Sequence, residues 1–151
     1  MTRSKRPEGS IELTLRRWVA AEPEQVWHAW TDVGELQAWW GPAEVRCISV
    51  EMDLRVGGRY RIGNELPDGQ VIWIDGTYEI VEPPRHLRYS WQTDLDRESV
   101  QSVDIRLRPA DNGTEILLCH QRIPNETLRE NHEYGWLGCL DCLEKYLAKQ
   151  A

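Results

Sequence analysis

The chain has 151 residues, with Lys+Arg 18 against Asp+Glu 25 and a formal net charge of -7. That balance speaks against nucleic acid, whose affinity comes from Lys and Arg neutralising phosphates, and against anionic membrane surfaces. No apolar run nears the ~20 residues of a membrane span, and one domain of this length buries roughly 70% of its extended-chain surface, enough for a core without metals or disulfides.

Residues 1–9 are basic and lack an apolar signal core, so they read as a disordered tail ahead of a single domain over 10–151, in a cytoplasmic protein. Residues 10–18 alternate Ile11, Leu13 and Leu15 with Glu12, Thr14 and Arg16, the period of a half-buried strand. Pro23 opens a helix whose apolar side is Val26, Trp27 and Trp30. Asp32 and Glu35 have capping-box spacing and start a second short helix, which Gly41-Pro42 stops.

A run of strands follows, expected over 44–53, 59–65, 70–82, 86–93, 100–108 and 114–122. Pro67-Asp68-Gly69 is a turn, and Asp111-Asn112-Gly113 signals a hairpin. Short links between successive strands imply an antiparallel meander. The last element is a helix over about 125–149, with Asn125 or Thr127 as N-cap and a Thr127–Glu130 capping box. Trp136, Leu140, Leu143 and Leu147 form its apolar stripe, which carries Arg129, His132 and Glu133 toward the N-terminus. A sheet with one polar face needs cover on the other, and this helix is the only element long enough.

The order of elements, β-α-α-β6-α, resembles the helix-grip, START-like (SRPBCC) superfamily: an α+β fold with a curved antiparallel sheet around a long C-terminal helix. The residues resemble its branch related to the C-terminal domain of the activator of the Hsp90 ATPase. The matching pieces are Pro23-x-x-Val26-Trp27-x-Ala29-Trp30-Thr31, Trp39-Trp40-Gly41-Pro42, Gly57-Gly58-x-Tyr60 and Gly76-x-Tyr78-x-Ile80-x-x-Pro83. Leu87-x-Tyr89-x-Trp91, Gly113-Thr114 and Gly135-Trp136 complete the series. The resemblance implies a cavity between sheet and helix, with lipid or other apolar ligands, polyketide cyclisation or no assigned role among relatives. It implies a chaperone link only in part, since true Hsp90 activators carry a further N-terminal domain.

Strand parity locates an interior wall without the family. Asp75, Thr77 and Glu79 are polar, so Ile72, Ile74, Gly76 and Tyr78 face the helix. By the same rule Tyr60, Ile62 and Asn64 face in, as do Leu87, Tyr89 and Trp91, then Ile105, Leu107, Ile116, Leu118 and His120. With Arg129, His132, Trp136 and Leu140 from the helix, this is an apolar interior with sparse polar groups, the usual look of a small-molecule site; the tyrosines could equally pack as core with hydroxyls at the rim. Gly76 opens room for a ligand or for Trp136.

Eight Trp and no Phe suit either core filling or the walls of a partly wet interior. His120 closes an apolar alternation, so it is either hydrogen-bonded structure, a ligand contact, or a general acid–base with Glu133 or His132. Cys139-Leu-Asp-Cys142 lies mid-helix with its thiols about 60° apart on the wheel, away from the N-terminal dipole that redox pairs use. Cys47 and Cys119 supply no short-spaced second pair for zinc, and no metal or other cofactor is expected. His28 and the set Arg59, Arg61, Arg106 and Arg108 read as surface.

No nucleophile elbow, phosphate-cradling loop or ligand cluster is present, which lowers the weight of hydrolase, kinase or metalloenzyme readings. Binding of a small apolar ligand between sheet and C-terminal helix is the leading expectation. The alternatives are a cyclase- or hydrolase-like catalyst using His120 with Glu133, and a chaperone-linked interaction module with exposed Trp39 and Trp40. A homodimer is a further partner reading.

Overall fold

A computed structural model describes residues 11–150; the tail expected over residues 1–9 lies outside them. Its elements are β1 Ile11–Val19, α1 Pro23–Thr31, α2 Val33–Trp39, β2 Arg46–Met52, β3 Arg59–Glu65 and β4 Val71–Glu82. They continue as β5 His86–Thr93, β6 Asp96–Ala110, β7 Gly113–Ile123 and α3 Glu126–Gln150. Seven strands form one curved antiparallel sheet in the order β1-β7-β6-β5-β4-β3-β2. Each strand from β2 to β7 pairs with its sequence neighbour, as short connections demand, and β1 closes the far edge against β7. This is the α+β helix-grip architecture that the element order predicts.

Local chemistry sets the boundaries. Glu22 caps α1 in a reciprocal box with Gln25, and Asp32 Oδ2 accepts the Glu35 amide at 3.0 Å to start α2. Asn125, not Thr127, caps α3: its Oδ1 accepts the Leu128 amide at 2.8 Å. Asp111 and Asn112 both take positive φ, 49° and 62°, as a two-residue hairpin turn between right-twisted strands requires. Strand β6 starts earlier than expected because Asp96 pairs back onto Thr93.

The outward face is a charged lattice. Arg59 and Arg97 meet Asp75, Arg88 meets Glu79, Arg106 meets Asp104, and Arg16 and Arg108 share Glu115. Such exposed pairs contribute little each, and they leave the concave face as the apolar one. There α3 lays Trp136, Cys139, Leu140, Leu143 and Leu147 against the sheet and the two short helices.

The tryptophans answer the absence of Phe. Trp27, Trp30, Trp39, Trp40, Trp91 and Trp136 are all buried. Trp30–Trp39 and Trp40–Trp136 meet edge to face and Trp91–Trp136 at a tilt, with centroids 5.0, 5.4 and 5.6 Å apart, arrangements that add to burial alone. The expectation of an exposed Trp39–Trp40 patch is therefore corrected. Trp39 and Trp40 are 3% and 5% exposed, and the Trp39 indole donates to the Ala29 carbonyl at 2.8 Å.

Candidate functional site

Between the N-terminal half of α3 and the β3–β4 end of the sheet lies an apolar pocket of about 160 Å³. Helix α3 supplies Asn131, His132, Gly135, Trp136 and Cys139. The segment between α2 and β2 supplies Trp40, Gly41, Pro42 and Val45. Asn64, Leu66, Ile72, Ile74 and Trp91 form the sheet wall. Each of the three sides thus contributes one indole, and none of the lining residues carries a carboxylate, ammonium or guanidinium. At the rim the Tyr134 hydroxyl donates to Glu44 Oε1 at 2.7 Å, tying α3 to the α2–β2 segment.

Of the residues chosen by strand parity, Asn64, Ile72, Ile74 and Trp91 meet in this pocket, joined by His132 and Trp136 from the helix stripe. Asn64 is 8% exposed and its carboxamide oxygen has no partner; the Trp91 indole N–H is also unpaired. A buried polar atom left unpaired is costly, so these two mark where polarity is unmet.

The tyrosines gather elsewhere. Tyr60, Tyr78 and Tyr89 pack ring on ring, with centroids 5.0 to 6.1 Å apart. Together with Ile62 they border a void of about 10 Å³, the lower limit for a single water. Burial pushes all three hydroxyls up. The Tyr60 hydroxyl donates to the Ser90 carbonyl at 2.6 Å. These residues are core, but their hydroxyls are buried with the rings and do not stand at the rim where the core reading put them. Gly76 is core too: a Cβ there would run into the Ser90 carbonyl, so the glycine admits the β5 backbone and neither a ligand nor Trp136. Leu140 is buried at 1% exposure outside the pocket wall. Arg129 turns to its own helix, donating to Glu126 Oε1 at 2.6 Å.

His120 is fully buried behind the pocket. The Trp136 indole donates to its Nδ1 at 3.0 Å, and its Nε2 lies 2.7 Å from Gln101 Oε1. His132 stacks on it at 4.2 Å and places its own Nε2 2.9 Å from the same Gln101 oxygen. The expected His120–Glu133 proton-transfer pair is not formed. Both His120 nitrogens are taken, and Glu133 Oε1 stands 3.6 Å from Arg129 Nη1 at the surface. Burial holds the His120 pKa well below the usual histidine value, with neighbouring His132 adding to the effect. Burial also brings His132 down to about 4. Both imidazoles are neutral at pH 7, which suits hydrogen bonding and works against general-acid chemistry.

Cys139 is buried in the pocket wall, and burial pushes its thiol up to about 12. That is the reverse of an activated thiolate. All four cysteines are free, and no cluster of three or more His, Cys, Asp or Glu side chains could hold a metal among the described residues. No helix among them is long and apolar enough to cross a membrane.

Sequence reasoning missed Gln101 and the α2–β2 segment. Gln101 shares parity with Ile105 and Leu107 along β6, so extending the inward set two steps reaches it. Trp40, Gly41 and Pro42 stop a helix, and nothing local says that such a stop becomes a pocket wall.

The sequence model for the family described as "Activator of Hsp90 ATPase homolog 1-like protein" matches residues 20–148. Among solved structures, a protein of Chromobacterium violaceum is 29% identical, with TM-score 0.83 over 90% of this chain and 96% of that one. The AHSA1 protein of Silicibacter pomeroyi is 26% identical, with TM-score 0.83 over 93% and 100%. CalU16 of Micromonospora echinospora is 26% identical, with TM-score 0.72 over 92% and 77%. Comparison with curated proteins found no match.

Proposed function

The chain belongs to the family of activator of Hsp90 ATPase homolog 1-like proteins, and on that premise we propose that it is a binding protein for a small, largely apolar ligand seated between β3–β5 and the N-terminal half of α3. The supporting observation is the pocket of about 160 Å³ with three indoles and no charged side chain in its wall. A cavity of about 150 Å³ takes up one benzene, so the size suits a single ring. One aromatic ring buries roughly 150–250 Å², worth about 4–6 kcal/mol at roughly 25 cal/mol per Å². That corresponds to a Kd between roughly 0.04 and 1 mM for a bare ring, and a ligand with matched polar groups binds more tightly.

Catalysis by His120 and Glu133 finds no support in the geometry, and a Trp39–Trp40 docking patch finds none in the burial. The test is a titration with toluene, read by tryptophan fluorescence and by native mass spectrometry. Saturable quenching with one ring bound per chain is expected. Absence of any saturable signal up to the solubility limit would remove the reading.

A further inference from the structure

The pocket wall ends a hydrogen-bond chain whose direction is dictated at its far end. The Trp136 indole can only donate, so His120 Nδ1, 3.0 Å away, accepts. A neutral imidazole has one N–H. In His120 it is therefore on Nε2, pointing at the Gln101 atom 2.7 Å away, which must be the carboxamide oxygen. The same oxygen faces His132 Nε2 at 2.9 Å, and an oxygen can only accept. His132 therefore also carries its proton on Nε2, and its Nδ1 is left as a bare acceptor. Among the described residues no donor approaches that nitrogen. Asn64 Oδ1, in the sheet wall of the same pocket, is a second acceptor without a partner.

The uncharged wall thus holds an unmet acceptor in His132 Nδ1, a second in Asn64 Oδ1 and one unmet donor in the Trp91 indole N–H, a set that suits a group able to donate and accept. A carboxylate would set its lone pairs against those of the two acceptors with no cation nearby, and burying an unpaired charge is prohibitive. An ammonium would gain the indole faces and the same acceptors, but no carboxylate in the wall offsets the hydration it gives up. A neutral hydroxyl or N–H meets neither objection. We propose that the occupant of this pocket is a neutral, ring-sized compound bearing a hydroxyl or N–H donor, received by His132 Nδ1, with phenol as its simplest form. This rests on the binding reading above and narrows it.

Toluene and phenol have nearly the same shape and differ in the donor, so their affinity ratio isolates it. Both are titrated against the full chain and against His132→Phe and Asn64→Leu at pH 7. His132→Phe is expected to shift the ratio toward toluene by about five- to tenfold, the effect of one hydrogen bond. Asn64→Leu, which leaves His132 Nδ1 in place, should leave the ratio within about twofold, and a shift as large as that of His132→Phe would overturn His132 as the receiver. In the unmodified protein, the 15N resonance of His132 Nδ1 should move upfield on adding phenol and stay in place with toluene, a readout that needs no variant. Toluene binding with an unchanged ratio and an unmoved Nδ1 resonance overturns the donor assignment and leaves the pocket reading standing. Failure of both compounds to bind overturns both.

Discussion

Two glycines on one helix make opposite predictions. Gly135 and Gly138 both lie inside α3, where glycine costs about 1 kcal/mol relative to alanine. A Cβ built on Gly135 meets nothing within 4 Å, because the residue borders the pocket. A Cβ on Gly138 would stand 2.5 Å from Pro42 Cβ and 3.0 Å from Pro42 Cα, against the segment that closes the pocket. Gly135→Ala should therefore recover the helix term and raise stability by about 0.5–1 kcal/mol. Gly138→Ala recovers the same term but adds overpacking of about 1–3 kcal/mol, for a net loss of up to about 2 kcal/mol. At this chain length 1 kcal/mol moves Tm by roughly 2–4 °C. Calorimetry with urea titration at pH 7 reads both. Gly135→Leu extends the logic, since a leucine side chain entering a pocket of about 160 Å³ leaves no room for a ring. Toluene binding should vanish while the protein stays folded. Equal-signed shifts for the two alanine variants, or a Gly135→Leu protein that still binds toluene, would refute the placement of α3 over the pocket.

Two further outcomes follow from the buried polar chain and a third from Cys139. His132 is held down to about 4 in the folded state against an ordinary value near 6.5, so the unfolded chain binds the extra proton first. Its contribution is present in full above about pH 6.5 and is lost as pH falls toward 4, up to about 3 kcal/mol. Urea midpoints between pH 7 and 4 should fall more steeply for the unmodified chain than for His132→Phe, and parallel slopes would contradict this. Gln101→Leu strands the buried His120 N–H and the part-buried His132 N–H and should cost about 2–5 kcal/mol in a denaturation experiment. A loss below about 1 kcal/mol would mean the chain of bonds is not formed. Cys139, with its thiol raised to about 12 by burial, should resist iodoacetamide at pH 7.5 in the native protein and react only once unfolded, as mass spectrometry of labelled peptides would record.

Much of the architecture is written locally. Alternation along β1, β3, β4 and β7 assigns each side chain to a face, because strand period 2 leaves only two choices once one face is charged. Asp32, Pro23 and Asn125 start helices through their own atoms, and Asp111-Asn112 turns a hairpin through its own φ values. Parity also brought Asn64, Ile72, Ile74 and Trp91 to the interior, and the helical stripe brought His132 and Trp136.

Facing inward, however, is not the same as facing a space. Tyr60, Tyr78 and Tyr89 share the parity of Asn64 and Ile74, yet they sit where α1 and α2 press onto the sheet, so their rings fill it. The pocket opens toward the other end, where α3 begins and the α2–β2 segment crosses. Which part of one apolar face is packed and which is left open depends on the placement of three helices. That placement is set by long-range packing, of which no single strand carries a record. The same holds for His120. Its burial follows from alternation, but its bond to Trp136, its loss of Glu133 and its sharing of Gln101 with His132 arise only when β6, β7 and α3 meet.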